Sequence, residues 1–199
     1  MAKFLTKRAL NIDAIANAFT PIWRSKNYFK DKKEGDHIVL FTFDDKTEME
    51  KIMVAKLWSF DKHLMLLQYY DKETDLANMK FNRVAFWVQV HDIPLRFRTQ
   101  KVAEWICETI GTVTEAPVDA EVEGDGFIRV RVTLNISKPL CHGRVISLEN
   151  GKELWVSFKY KRLPNMCYWC GCLTHDDRDY EMWIESEGSL SVDSRRFGS

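Results

Sequence analysis

Residues 128–136 alternate strictly between apolar and polar side chains, and this pattern constrains the fold more than any other stretch of the chain. Successive side chains of a β-strand point to opposite faces of its sheet, so we predict a strand at residues 127–136 with one face in the core. The apolar set is Ile128, Val130, Val132, Leu134 and Ile136, and the polar set is Arg129, Arg131, Thr133 and Asn135. The chain must therefore build a sheet that is covered on one side.

The first 75 residues show a different periodicity, which predicts helices between strands. Asn11 can cap a helix whose apolar side chains recur three and four residues apart. The other predicted elements are a hairpin at residues 28–43, a helix after Asp44 and Asp45, and strands at residues 3–6 and 64–70. This order is the split βαβ plan of ferredoxin-like and RNA-recognition-motif domains. We therefore predict an α+β protein with a ferredoxin-like, RNA-recognition-motif-like first module at residues 1–75.

The second strand of the predicted hairpin is apolar on both of its faces. Val39, Phe41 and Phe43 share one face, and Ile38 and Leu40 lie on the other. A strand that is apolar on both sides is usually buried on both sides. RNA-recognition motifs instead leave an aromatic sheet face open. We therefore expect this module to pack on a second unit and not to bind RNA itself.

The rest of the chain divides into three predicted segments. A second small α+β unit spans residues 83–164, and its elements are strands at 84–90, 127–136 and 153–160, a helix at 99–110 and an acidic loop at 115–126. A Cys/His cluster occupies residues 165–180. The tail at residues 181–199 is acidic and rich in Ser and Gly, so we predict that it is disordered.

Positive charge is concentrated in the second unit, although the whole chain has 29 Lys and Arg against 29 Asp and Glu. Cations and indole rings on a solvent-facing sheet can neutralise phosphates and stack on single-stranded bases. The predicted nucleic-acid-binding residues are Trp87, Arg129, Arg131, Trp155, Lys159, Lys161 and Arg162. The alternative is a solvated face on which arginine stems cover tryptophan rings.

The strongest local motif is Cys167-x2-Cys170-x4-His175, which has the ligand spacing of a zinc knuckle. The position of a fourth ligand holds Tyr180, and a phenol with a pKa of about 10 is a poor zinc ligand. Asp179, Asp176 or water can complete the coordination. We predict a Zn²⁺ site at Cys167, Cys170 and His175 that is weak, with a degenerate knuckle that binds no metal as the alternative.

The sequence contains no pattern that predicts catalysis. No glycine-rich phosphate loop and no spaced set of carboxylates is present, and Cys141 and His142 are neighbours that point to opposite faces of an extended chain. We expect no catalytic residues.

No apolar run has the roughly 18 residues of a membrane span, and the first residues do not resemble a secretory signal. We therefore expect an intracellular protein, nuclear or cytoplasmic, that does not contact membranes.

Several motifs together resemble a known family. They are FWVQVHDIP at 86–94, RVRV at 129–132, KPL at 138–140, LWV at 154–156, YKRLP at 160–164 and Cys167-x2-Cys170-Gly171. This set is similar to the plant domain-of-unknown-function family 4283 with its trailing CCHC-type zinc knuckle, and to the N-terminal region of LINE-type retrotransposon proteins. The resemblance implies a retrotransposon-derived nucleic-acid-binding protein in which Cys167, Cys170 and His175 match three of the family's four ligand positions.

The sequence and the resemblance together predict a non-catalytic protein that binds single-stranded RNA or DNA and that can self-associate. The alternative is a protein interaction or assembly module, or an inactive retroelement relic without metal. The sequence departs from the family at Tyr180, and it ends without an endonuclease or reverse transcriptase portion.

Overall fold

A computed structural model describes residues 1–23, 29–35, 37–54, 57–71, 73–116, 123–148, 151–191, 193 and 195–197. Tyr28 and Asp36 of the predicted hairpin, and residues 117–122 of the predicted acidic loop, lie outside the described residues. The chain forms two compact units. Unit 1 combines residues 1–82 with residues 164–199, and unit 2 is formed by residues 83–163. The four segments drawn from the sequence stay a prediction.

Unit 1 contains an antiparallel sheet. Its strands are β1 (Ala2–Phe4), β2 (Lys30–Gly35), β3 (Ile38–Thr42), β4 (Trp58–Phe60) and β5 (His63–Leu67). The strand order across the sheet is β2-β3-β1-β5-β4, so the first strand of the chain lies at the centre. The β4 strand is absent from our sequence prediction. It pairs with β5 through a tight turn at Asp61 and Lys62, which both have positive φ.

Two helices connect these strands and begin where the sequence places their caps. They are α1 (Ile12–Trp23) and α2 (Lys46–Val54). The Asn11 Oδ1 atom accepts a hydrogen bond from the Ala14 amide at 3.1 Å. Asp45 Oδ1 accepts one from the Thr47 amide at 2.7 Å. Both contacts satisfy backbone donors that the first helical turn leaves without partners, which confirms the predicted capping.

Trp23 at the end of α1 is the centre of an aromatic core in unit 1. Its ring stacks on Phe19 with centroids 4.6 Å apart and meets Phe41 edge to face at 5.0 Å. Phe41 and Val39 in β3 are buried in this core. Ile38 and Leu40 on the other face of β3 are half-buried, whereas the sequence predicted that both faces are buried. The difference arises because the aromatic cluster packs on one face of the strand.

Unit 2 contains a second antiparallel sheet and one described helix longer than a single turn. Its elements are β6 (Arg83–His91), α3 (Gln100–Glu108), β7 (Thr112–Val113), β8 (Glu123–Gly124), β9 (Phe127–Asn135), β10 (Gly143–Ser147) and β11 (Glu153–Tyr160). The strand order is β10-β11-β6-β9-β7, and β8 pairs with β9. The predicted mixed α+β class is therefore confirmed, with an antiparallel sheet in each unit.

The alternation in β9 is present in the structure as the sequence predicts. Ile128, Val130, Val132 and Leu134 are buried, and the residues between them are partly exposed. The helix α3 packs against β9 and buries Ala103 among other apolar residues. One face of the sheet therefore belongs to the core of unit 2, and the other carries the polar set.

The predicted disordered tail at residues 181–199 differs in the structure, which describes a short helix there. This helix, α4, spans Glu181–Glu185. Its Trp183 ring stacks on Trp169 with centroids 5.6 Å apart, and this contact gives the segment an apolar partner. None of the helices in the described part of the chain is long and apolar enough to cross a membrane.

Candidate metal centre and sheet face

The Cys/His cluster in unit 1 is built on a tight turn. The Cys167 amide donates to the Cys172 carbonyl at 3.0 Å, and the Gly171 amide donates to the Cys167 carbonyl at 2.7 Å. Gly171 has a φ of 76°, a left-handed conformation that glycine adopts without steric cost. The turn folds the chain back so that the cysteines at its two ends come close together.

Three predicted ligands meet at this turn. The Sγ atoms of Cys167 and Cys170 and a ring nitrogen of His175 all lie within 4.8 Å of one another. Cys170 Sγ is 3.4 Å from His175 Nε2. The Thr174 hydroxyl contacts the other ring nitrogen, Nδ1, at 3.0 Å, which orients the imidazole toward the sulfurs. Two thiols and an imidazole are the donor set that Zn²⁺ prefers, so these residues fit a zinc ion.

Burial shifts the pKa values of two of these residues, Cys167 and His175. It raises the pKa of the Cys167 thiol to about 12. It lowers the pKa of His175, and the nearby Lys7 ammonium adds to this effect. The imidazole is therefore neutral near pH 7 and has a lone pair for a metal, whereas Cys167 must lose its proton before its sulfur can bind one.

No fourth ligand joins this cluster among the described residues. The Tyr180 ring lies parallel to the His175 ring, with centroids 6.1 Å apart, and its hydroxyl donates to the Met182 sulfur. Tyr180 therefore packs on a ligand and does not act as one. Asp179 Oδ2 is buried without a hydrogen-bond partner. A cation bound nearby would offset the cost of burying this carboxylate. The Cys172 sulfur faces the Cys170 carbonyl at 3.9 Å.

Residues of the first module hold the knuckle in place within unit 1. Asp176 caps the short 3-10 turn at Asp177–Asp179 through its Oδ1 atom. Its Oδ2 atom lies 3.7 Å from the Arg8 guanidinium and 4.0 Å from Nε2 of the buried His63. The Lys7 ammonium donates to the Asp179 carbonyl at 2.8 Å. Sequence reasoning missed Arg8 and His63, because nothing in the sequence near them indicates a partner beyond residue 175.

The solvent-facing side of the unit 2 sheet carries most of the predicted nucleic-acid-binding residues. Cross-strand pairing aligns Trp87 with Arg131, and Gln89 with both Arg129 and Lys159. The Arg131 guanidinium lies over the Trp87 ring, 5.8 Å from its centroid. We call these five residues the basic sheet face. Cations and an indole thus share one surface on three adjacent strands.

The other three predicted residues lie around this surface. Trp155 is on the same side of β11 as Lys159, and 52% of its surface is exposed. Lys161 and Arg162 are exposed and follow the end of β11, where the Lys161 amide donates to the Trp87 carbonyl at 2.9 Å. The structure therefore gathers the predicted residues in one unit, and their role in binding stays a prediction.

The fold is that of an α+β protein, and its Cys/His cluster is compatible with zinc binding. Residues 1–78 match the family described as "Domain of unknown function (DUF4283)", and residues 134–182 match the family described as "Zinc knuckle". The predicted resemblance to this domain family with a trailing knuckle is therefore confirmed.

One curated relative is an uncharacterized protein of Arabidopsis thaliana, which is 28% identical over 104 residues. The match covers 52% of this chain and 33% of the relative, so the aligned region is about a third of that protein's length. No solved structure matches the chain.

Replacing Tyr180 with cysteine should tighten zinc binding, because a thiolate is a far better zinc ligand than a phenol. A competition titration against a chromogenic chelator measures the change. The Asp179→Asn variant is the second arm, since it removes the carboxylate charge and retains the side chain's size. If the unaltered chain already binds zinc as tightly as Tyr180→Cys, and Asp179→Asn weakens that binding, then Asp179 is the fourth ligand and the knuckle is not degenerate.

Proposed function

We propose that the protein is a non-catalytic nucleic-acid-binding module that prefers single strands. The observation that carries this proposal is the basic sheet face, where Trp87 and Arg131 lie on one surface with Gln89 and Lys159. Aromatic rings stack on unpaired bases of any sequence, and cations beside them neutralise the phosphates. An aromatic ring beside cations favours a strand whose bases are accessible over a duplex whose bases are stacked inside.

The zinc knuckle supports the same function from unit 1. Its ligands suit Zn²⁺, and bound zinc would cross-link the turn at residues 167–172 to His175. Such a cross-link stabilises a small segment that has little core of its own. With three protein ligands, we propose that zinc is held weakly compared with a complete four-ligand site.

We also propose that the first module is ferredoxin-like and that the protein is retrotransposon-derived, intracellular and able to self-associate. The central strands of unit 1 follow the order β2-β3-β1-β5 with helices after β1 and β3, which supports a ferredoxin-like plan with β4 added at the edge. The origin rests on the likeness of the whole motif set to LINE-type proteins, and the compartment rests on the five free cysteines, which suit a reducing environment.

A protein interaction module is the second candidate, because one edge of the unit 2 sheet is apolar and exposed. Val145 in β10 pairs with Trp155 in β11, and each has more than half of its surface exposed. An apolar interface responds little to ionic strength, whereas phosphate contacts weaken steeply as salt rises. The salt dependence of binding therefore separates the two functions.

The test is a titration of single-stranded RNA and DNA at two salt concentrations, with the zinc content measured on the same sample. The double variant Arg129→Ala with Arg131→Ala should weaken binding at low salt. Each lost phosphate contact lowers the magnitude of the salt slope by about 0.7, so two contacts lower it by about 1.4.

The matched control for this test is Arg96→Ala with Lys101→Ala, which removes the same charge from exposed positions of unit 2 outside the basic sheet face. The control should retain the salt slope of the unaltered chain, and thermal unfolding should show that both variants are folded. An equal slope in all three proteins would mean that the arginines of β9 are a solvated face.

A further inference from the structure

A cleft in unit 2, with a volume of about 380 Å³, is lined by the end of α3, the start of β6, the end of β9 and the start of β10. This volume is in the range of pockets that hold small organic ligands. The cleft lies at the end of the sheet where Arg83 pairs with Asn135. None of the residues that the sequence predicted to bind nucleic acid lines it.

Three cations from separate segments line this cleft. Arg83 begins β6, Lys138 lies in the turn after β9, and Arg144 is in β10. All three are exposed, and none of the described lining residues is a carboxylate. Arg83 and Lys138 form no ion pair with any residue that the structure describes. The charge around the cleft is therefore positive, although the chain as a whole is neutral. The cleft attracts anions.

The backbone and neutral side chains around these cations give the cleft a defined shape. Arg144 donates from Nη2 to the Thr109 carbonyl at 3.0 Å, which fixes its guanidinium at the rim. A Cβ atom at Gly111 would lie 2.5 Å from the Thr133 carbonyl, so glycine permits the close approach of this segment to β9. Thr112 pairs with Thr133 across the strands, and both line the cleft.

We propose that this cleft binds a phosphate group. Arginine and lysine are the side chains that recognise phosphate, and Thr112 and Thr133 line the same cleft. The volume leaves room for the sugar or chain to which a phosphate ester is attached. The site shares no residue with the basic sheet face, so it does not depend on the function proposed above.

The test follows the backbone amides of Gly111 and Thr112 by NMR in the full chain, during titration with inorganic phosphate. Sodium chloride at matched ionic strength and pH is the reference. Phosphate should produce saturable shifts at these amides that chloride does not produce. The variant Arg83→Gln with Lys138→Gln should bind phosphate at least about tenfold more weakly, because it loses two charged donors. The variant Arg96→Gln with Lys101→Gln removes equal charge outside the cleft and should bind normally.

A second arm identifies the source of the phosphate. If it belongs to a nucleic-acid backbone, the cleft variant should also lower the salt slope for single-stranded RNA by about 1.4, since each of two phosphate contacts contributes about 0.7. If it belongs to a free phosphate or a mononucleotide, the RNA slope is unchanged while phosphate binding is lost. Both results support the site. Shifts that chloride reproduces, or equal phosphate affinity in the cleft and control variants, would overturn it.

Discussion

Replacing Cys170 with serine should weaken zinc binding by at least about a hundredfold, since changes in the residues that merely support a ligand already cost 10–100-fold. The hydroxyl of serine remains protonated near pH 7 and cannot replace a thiolate. Cys170 is the best ligand to change because it is half-buried, whereas Cys167 is fully buried and its loss would also disturb packing. The measurement is a chelator competition titration on the full chain.

Cys172→Ser is the matched control for this variant. Cys172 lies two residues from Cys170 but contributes no atom to the three-ligand cluster. The control should bind zinc as the unaltered chain does. A loss of zinc in Cys172→Ser as large as in Cys170→Ser would show that Cys172 is a ligand and that the cluster rearranges on binding.

Replacing Trp87 with alanine should weaken single-stranded RNA binding by roughly 5–150-fold, because stacking of one base on an aromatic ring contributes about 1–3 kcal/mol. Trp87 is the aromatic residue of the basic sheet face, and Arg131 lies over its ring. Trp87→Phe retains a ring and should retain most of the affinity. Fluorescence anisotropy with a labelled oligonucleotide at one fixed salt concentration measures the difference.

The control for Trp87→Ala is Trp105→Ala, which removes an indole that is 66% exposed on α3. Trp105 lies outside the basic sheet face, so its loss should leave the affinity unchanged. Equal affinity of Trp87→Ala and the unaltered chain would exclude stacking on this ring. The interaction module would then be the better interpretation, and the Val145 and Trp155 edge would be the surface to change next.

The elements with a clear periodicity were predictable from the sequence, and the short edge strands were not. The alternation in β9 and the stripe and cap of α1 depend only on neighbouring residues, so local patterns predicted them. The β4 strand turns at Asp61 and Lys62, whose positive φ values occur without the glycine that normally indicates such a turn. The β10 strand lies at a sheet edge, and its exposed Val145 follows the exposed Arg144, so its sequence does not alternate between a buried and an exposed face.

The candidate metal ligands were predictable because zinc imposes a spacing on adjacent residues, and the contacts around them were not. Arg8 and His63 approach Asp176 only because the sheet of unit 1 brings the distant segments together. The phosphate cleft is likewise formed by segments that only the fold brings together. Its cations Arg83, Lys138 and Arg144 are separated along the chain by residues with unrelated patterns, so their convergence follows from strand order alone.

The division of unit 1 between the two ends of this sequence has a consequence for synthesis on the ribosome. All of unit 2, residues 83–163, is synthesised before Asp176, so Arg8 and His63 lack this partner until then. At a synthesis rate of about 5–20 residues per second, the interval between these residues and Asp176 lasts several seconds to some tens of seconds. Unit 1 therefore acquires its candidate zinc ligands, Cys167, Cys170 and His175, only after all of unit 2 has been synthesised. Until then, chaperones and zinc encounter an incomplete unit 1.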